Sequence, residues 1–154
     1  MKNFALILAA ASLLLSFSGC KEDDRTKMDQ SDRTDYDLVY GLRQVMQYDP
    51  MNIDGINIVD KFDFFGTLRL TIHYAGGKIS AVTFSNGNIP FAPVDFTVPT
   101  EKTEAFLDTD VLPNVIRLKE SGKAIATYLR GEFIITFRLD SPLVSYKYTF
   151  KSVE

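Results

Sequence analysis

Residues 67–84, with the sequence TLRLTIHYAGGKISAVTF, decide the fold class of this 154-residue chain. In the first half, apolar and polar side chains alternate, which is the period of a strand with one buried and one solvated face. The positions predicted to be buried are Leu68, Leu70, Ile72 and Tyr74. Gly76-Gly77 tolerates the positive φ angles of a tight turn, so residues 78–84 are predicted to return antiparallel. A break in parity between Ile79 and Val82 indicates a β-bulge, or a strand covered on both faces.

Downstream of this hairpin the sequence predicts further short strands. Prolines at positions 90, 93 and 99 keep residues 89–99 out of the centre of a sheet, so this segment is predicted to be an extended edge or a crossing segment. Residues 100–107 are predicted to form one or two helical turns. The other extended runs are residues 114–119, 123–130, 132–139 and 144–151. The predicted fold is therefore mainly β, an antiparallel sandwich or partial barrel of about seven or eight short strands.

Residues 36–48 have a pattern that favours an N-terminal helix. Five apolar residues fall at the spacing that lines one helical face: Leu38, Val39, Leu42, Val45 and Met46. Gly41 opposes this interpretation because glycine costs about 1 kcal/mol relative to alanine in a helix. A strand is therefore the alternative for this segment. Asp49-Pro50 ends either element, since the residue before proline avoids the helical region.

The N-terminus carries the clearest functional signal in the chain. Lys2 is followed by an apolar run over residues 4–17 and then by the small residues Ser18-Gly19. This order of basic, apolar and small residues is typical of a secretory signal peptide. The apolar run is shorter than the roughly 20 residues that a membrane-spanning helix requires. We therefore expect residues 1–19 to be a cleaved signal peptide.

The segment Phe17-Ser18-Gly19-Cys20 resembles the lipobox of bacterial lipoproteins, in which small residues precede a cysteine that receives a diacylglyceryl group. Phe17 departs from the family pattern, which usually has leucine there. The alternative is that an ordinary peptidase cuts near residues 16–18 and leaves Cys20 as a free thiol. The acidic segment after it, residues 21–24, resembles the signal that directs lipoproteins of the Bacteroidota to the cell surface, although a solvated tether would also be charged.

This resemblance implies that Cys20 is lipidated and that the lipid anchors the protein in the outer membrane, on the cell surface rather than on the periplasmic face. Residues 20–35 are then the lipidated cysteine and a flexible charged tether, because Met28 is their only clearly apolar residue after Cys20. Residues 36–154 are predicted to form a single β-rich domain. A lone cysteine cannot form a disulfide framework, so apolar packing must stabilise this domain.

Charge and motif content argue against several classes of function. The formal net charge of −3 and the lack of a basic run exclude a nucleic-acid partner of the usual kind. His73 is the single histidine, and its parity places it on the solvated face of its strand, so no catalytic residue is predicted. With Gly55 at the sixth position of a calcium loop, the first ligand falls on Pro50 and the bidentate acid on Lys61. No metal and no cofactor are therefore predicted, and Asp54-Gly55 is interpreted as a hairpin turn.

The aromatic residues give the remaining hint of a site. Phe62, Phe64 and Phe65 lie so close together that they cannot all point to one face of a strand. We therefore consider them candidate ligand-binding residues, with burial of all three in the core as the alternative.

Taken together, these features predict a non-catalytic envelope lipoprotein that acts as a binding or assembly accessory, with a glycan or an envelope protein as its partner. One alternative is a glycan hydrolase, which would show a cleft with two close carboxylates of perturbed pKa. Another is a structural subunit of a surface fibre or transporter complex, which would show an unpaired edge strand.

Overall fold

The computed structural model describes residues 35–153, and nine strands in this range form one antiparallel sheet. The strands are β1 (Tyr36–Asp49), β2 (Asn52–Asn57), β3 (Arg69–Ala75), β4 (Lys78–Phe84), β5 (Thr103–Asp108), β6 (Asn114–Leu118), β7 (Ala124–Leu129), β8 (Glu132–Asp140) and β9 (Leu143–Ser152). Two 3-10 helices, Val59–Lys61 and Asp63–Thr67, connect β2 to β3. Within the described range, no helix has the length and apolar character needed to cross a membrane.

The sheet closes into a barrel because β1 pairs on both of its sides. Residues 36–41 pair with β3, and residues 40–48 pair with β9, so eight strands form a ring in which chain neighbours are also sheet neighbours. The remaining strand, β2, pairs with the end of β1 outside this ring. The predicted antiparallel β class is confirmed. The sandwich is wrong, and the barrel is closed rather than partial.

The predicted N-terminal helix is also wrong, because residues 36–48 belong to β1. The β1–β9 register shifts between Leu42 and Gln44, which leaves Arg43 as an extra residue in a bulge. Buried side chains therefore fall at Tyr40 and Leu42, and then at Val45. The bulge turns a spacing of two into a spacing of three, and this mixture imitates a helical face.

The β3–β4 hairpin has the predicted turn and bulge. Gly76 and Gly77 both have positive φ angles, of 56° and 76°. The register shifts where His73 pairs with Ala81 and Tyr74 with Ile79, so Ser80 is the extra residue. In contrast, the helical turns predicted for residues 100–107 are wrong, since β5 occupies most of that segment.

Gly55 has a different role from the hairpin turn predicted for Asp54-Gly55. The turn between β1 and β2 lies at Pro50-Met51, where the Asp49 carboxylate accepts a hydrogen bond from the Met51 amide at 2.8 Å. Gly55 lies inside β2 with a φ of 79°, and a Cβ there would stand 2.5 Å from the Tyr48 ring. Glycine is needed because the strand passes directly over that ring.

Large side chains fill the barrel interior, as expected for eight strands. Those that are fully buried include Val45, Leu70, Ile72, Val82, Phe84, Ile116, Phe133, Tyr148 and Phe150. One end of the barrel is closed by the second 3-10 helix and by residues 85–102, which contribute buried Phe65, Ile89 and Val98. Residues 89–99 belong to no strand, so the expectation that they are not a central strand is confirmed, and the extended-edge alternative is wrong.

Candidate functional site

The opposite end of the barrel, near the β3–β4 turn, holds an open cavity of about 540 Å³. We call this cavity the mouth pocket, and it is defined by its lining residues: Tyr74, Gly77, Lys78, Ile79, Phe106, Leu107, Thr109 and Tyr128. Four different strands, β3, β4, β5 and β7, and the turns next to them supply this lining. The lining residues are spread over 55 positions of the sequence, from Tyr74 to Tyr128, and the closed sheet brings them together.

Strand alternation explains why Tyr74 and Ile79 face the cavity. Tyr74 continues the inward series of Leu70 and Ile72 to the end of β3. The bulge at Ser80 shifts the parity of β4, so Ile79 faces inward opposite Tyr74. The inward residues of the strand ends therefore form an apolar cup above the packed interior.

Aromatic rings build one wall and the floor of this cup. The Tyr36 and Tyr74 rings are stacked, with centroids 4.7 Å apart and an interplanar angle of 8°. Deeper in the barrel, Phe133 contacts Tyr40 at 4.6 Å and Tyr128 at 4.9 Å between centroids. Because Phe133 is fully buried, the interior below the cup is closed. A ligand would therefore rest on the rings at the mouth.

Two tyrosine hydroxyls near the pocket stay protonated well into the alkaline range. Burial raises the pKa of Tyr74, and the neighbouring Tyr40 raises it further. Burial also raises the pKa of Tyr40, although a hydrogen bond from Tyr74 partly offsets the rise. Lys78 is the one charged residue that lines the pocket in the described part of the chain. The mouth pocket thus combines apolar rings with neutral hydroxyls and a cation at its rim.

The three phenylalanines predicted as ligand-binding candidates lie at the closed end and take different positions. Phe65 is fully buried, whereas Phe62 and Phe64 are 41% and 44% exposed. Burial of all three, the alternative interpretation, is therefore wrong. Phe91 joins them at ring-centroid distances of 5.7 Å to Phe62 and 6.2 Å to Phe64. Sequence reasoning missed Phe91 because it lies 27 residues beyond Phe64 in a segment without strand periodicity.

The predicted lipidation site lies outside the described residues. The same holds for the signal peptide and for residues 20–34 of the tether. Cys20 therefore keeps the status of a prediction from sequence.

The solvated position predicted for His73 is wrong. Its residue surface is only 8% exposed, although its parity does place it on the outer face of β3. The two ring nitrogens are engaged: Nδ1 lies 2.6 Å from Asp37 Oδ1, and Nε2 lies 2.8 Å from Thr83 Oγ1. These partners come from the two strands that flank β3, so only the strand register reveals them.

The order Asp37, His73, Thr83 has the outline of a carboxylate–imidazole–hydroxyl triad. Acyl transfer would also require backbone amides aimed at a developing oxyanion. Thr83 instead lies inside a paired strand, opposite Thr71, and the next amide, of Phe84, donates to the Pro99 carbonyl at 2.8 Å. We interpret these three residues as a polar clamp across three strands. Nor do residues 35–153 contain a group of three His, Cys, Asp or Glu side chains placed to hold a metal.

Comparison of the chain with protein-family models, with curated proteins and with solved structures finds no match. The chemistry of the mouth pocket and of the phenylalanine cluster therefore has to be argued from their own residues.

Proposed function

We propose that this protein is a lipid-anchored envelope protein whose barrel binds a small, mainly apolar molecule in the mouth pocket without changing it chemically. The observation that carries this proposal is the open cavity of about 540 Å³ at one end of a closed barrel. Its volume falls within the range of roughly 300–1,000 Å³ that is usual for small-molecule sites, and barrel mouths are a recurrent place for them.

The lining indicates the chemistry of the ligand. Tyr74, Tyr128, Ile79 and Leu107 offer apolar surface for a ring or an acyl chain. The neutral tyrosine hydroxyls can donate to a carbonyl or a carboxylate, and Lys78 favours a negative charge at the rim. An amphipathic molecule with an acidic or carbonyl head group fits these groups best.

The proposed location rests on the N-terminal sequence. Cys20 follows the apolar run and Ser18-Gly19 directly, and the charged residues 21–24 come next. A multiply acylated cysteine would bury many methylenes, at about 0.8 kcal/mol each, so the protein would not leave the membrane. We place it in the outer membrane, on the cell surface.

The positions and the pKa shifts of the acidic groups favour binding over glycan hydrolysis. Among the residues that the structure describes, no carboxylate lines the mouth pocket. Hydrogen bonds lower the pKa of both Asp49 and Asp108, the first from Asn52 and the second from Arg117. The proton-donating carboxyl group of a hydrolase requires the opposite shift. The described residues thus provide support for a binding site and none for a carboxylate pair.

A structural role in a fibre is also less well supported. The closed ring leaves β2 as the strand of the described sheet with a free edge. That strand has six residues, and it carries an exposed Asp54 and a distorted backbone at Gly55. Short, charged and irregular edges are the features with which proteins prevent edge-to-edge pairing.

Dansyl-undecanoic acid, a fluorescent acyl probe, tests the proposal. A chain that starts at Lys21 should give a saturable rise in probe fluorescence, and Tyr128→Ala and Lys78→Met should each weaken binding. Val94→Ala, at a fully exposed position in the segment that closes the other end, is the matched control. Mass spectrometry should recover the probe unchanged. Absence of saturable binding by a folded protein would overturn the proposal.

A further inference from the structure

A second cavity lies at the closed end of the barrel and has different chemistry. This groove of about 270 Å³ is lined by Phe64, Thr67, Leu68, Asn86, Asn88 and Pro90. It adjoins the exposed phenylalanine cluster of Phe62, Phe64 and Phe91. The groove is independent of the mouth pocket, since the two share no residue.

The phenylalanine cluster beside the groove faces solvent and packs on the barrel core. The rings of Phe62 and Phe64 are stacked, with centroids 5.2 Å apart, and Phe91 meets both. Behind this cluster, Phe91 stacks on Tyr146 with centroids 5.1 Å apart and an interplanar angle of 14°. Tyr146 belongs to the barrel core, so the core fixes the position of the exposed rings.

Phe91 adopts an unfavourable backbone conformation. Its φ is 60°, in the left-handed region that bulky residues rarely occupy and that costs on the order of 1–2 kcal/mol. In this conformation Phe91 is 38% exposed, and its ring meets those of Phe62 and Phe64 at interplanar angles of 66° and 64°. Strain that serves to expose an apolar ring is unexpected for a residue that only closes the barrel, and such strain tends to accompany functional sites.

Neutral polar groups form the opposite side of the groove. Asn86 Oδ1 accepts a hydrogen bond from the Asn88 amide at 3.1 Å, and Thr67 Oγ1 donates to the Phe64 carbonyl at 2.9 Å. Within residues 35–153, the side-chain nitrogen of Asn86 donates no hydrogen bond, and the side-chain amide of Asn88 neither donates nor accepts one. These amides can both donate and accept, and no charged side chain of the described part of the chain lines the groove.

We propose that this groove is a binding subsite for one neutral sugar ring of a glycan. A pyranose ring presents an apolar face of C–H groups, which packs on an aromatic ring, and an edge of hydroxyls, which need both donors and acceptors. Phe64 and the two asparagines provide these partners side by side. The volume lies just below the range of roughly 300–1,000 Å³ for drug-sized ligands, which suits a single ring.

The surrounding charges favour a glycan over a membrane surface as the occupant. Asp60 and Asp63 are exposed on either side of Phe62, and Lys61 is exposed between them, so these three side chains carry a net charge of −1. A net charge of −1 does not attract anionic head groups, whereas a neutral sugar is indifferent to it. A purely apolar partner, in turn, would offer no hydrogen-bond partner to the side-chain amides of Asn86 and Asn88.

Saturation-transfer NMR on the full chain in phospholipid nanodiscs tests this subsite. The probes are cellohexaose, maltohexaose and mannohexaose, with empty nanodiscs as the blank. Ring C–H protons of at least one hexasaccharide should receive saturation, and Phe64→Ala should weaken its binding by about threefold to tenfold, since aromatic contacts are worth about 0.5–1.5 kcal/mol. Asn88→Ala should also weaken it.

Leu129→Ala is the matched control, because Leu129 is 46% exposed at the β7–β8 turn, away from the groove. It should bind the sugar as the wild type does. Thermal melts establish that each variant is folded, and both Phe64 and Asn88 are exposed enough to be replaced safely. The inference is overturned if no hexasaccharide receives saturation from the folded wild type. It is also overturned if the transfer is equal in Phe64→Ala, Asn88→Ala and Leu129→Ala. Neither result bears on the mouth pocket.

Discussion

His73 and Asp37 meet across the β1–β3 strand pair, with Nδ1 and Oδ1 2.6 Å apart. The other ring nitrogen of His73 reaches Thr83 on β4, so one side chain joins three consecutive strands of the ring. Asp37 is next to the first residue of β1, where the strand extends past the end of β9. The clamp therefore holds the start of the barrel in the register that positions Tyr36 on Tyr74 at the mouth.

His73→Ala should reduce the free energy of unfolding by about 1–3 kcal/mol, because it leaves the Thr83 hydroxyl without its partner in a mostly buried position. Thr71→Ala is the matched control, since Thr71 lies on the same face of β3, two residues away. It should change the free energy of unfolding by less than about 0.5 kcal/mol. Urea denaturation measures both, and equal effects of the two substitutions would contradict the clamp.

Tyr148 should show separable contributions from its ring and its hydroxyl. The residue is fully buried, and its hydroxyl donates to the Pro90 carbonyl of the segment that closes the barrel. Tyr148→Ala should cost about 3–5 kcal/mol through loss of packing. Tyr148→Phe keeps the ring and should cost about 1–2 kcal/mol. A Phe variant as unstable as the Ala variant in urea would show that packing of the ring is not what matters there.

Asp108 should stabilise the fold in a pH-dependent manner. The Arg117 guanidinium, 2.7 Å away, and the Asp110 amide lower the pKa of this carboxyl group. A pKa that is lower in the folded state gives stability that is present above the unfolded value of about 3.9 and is lost as the pH falls through the folded value.

The stability difference between wild type and Asp108→Asn should therefore be constant above about pH 5 and shrink below about pH 4. Urea denaturation at a series of pH values measures it. Arg117→Met removes the main cause of the lowered Asp108 pKa, so the free energy of unfolding of this variant should also depend less on pH in this range. A difference that grows as the pH falls would have the wrong sign for this pair.

Cys20→Ala should abolish the incorporation of radioactive palmitate and release the protein from the outer-membrane fraction of a bacterial host. Ser18→Ala keeps a small residue before the cysteine and should be labelled normally. The lipid anchor is refuted if the wild type incorporates no palmitate while Cys20→Ala stays in the membrane fraction.

The local sequence pattern was sufficient to predict the β3–β4 hairpin. Its alternation, its Gly-Gly turn and its bulge all lie within 18 residues, so the sequence predicts each of them. The same reasoning failed for β1, because the bulge at Arg43 adds one residue and mixes spacings of two and three. Such a bulge is specified by the partner strand β9, which lies about 100 residues away.

The sequence alone determined that the chain is an antiparallel β protein without a disulfide framework, and it marked Phe62 and Phe64 as candidate ligand contacts. Tertiary structure decided the rest. Closure between β1 and β9 made a barrel with one open and one closed end and placed Tyr74 beside Tyr128 in the mouth pocket. The register of β1 and β4 against β3 buried His73 between Asp37 and Thr83. The physical reason is that side-chain alternation along a strand depends on its own residues, whereas strand register and ring closure depend on contacts between distant strands.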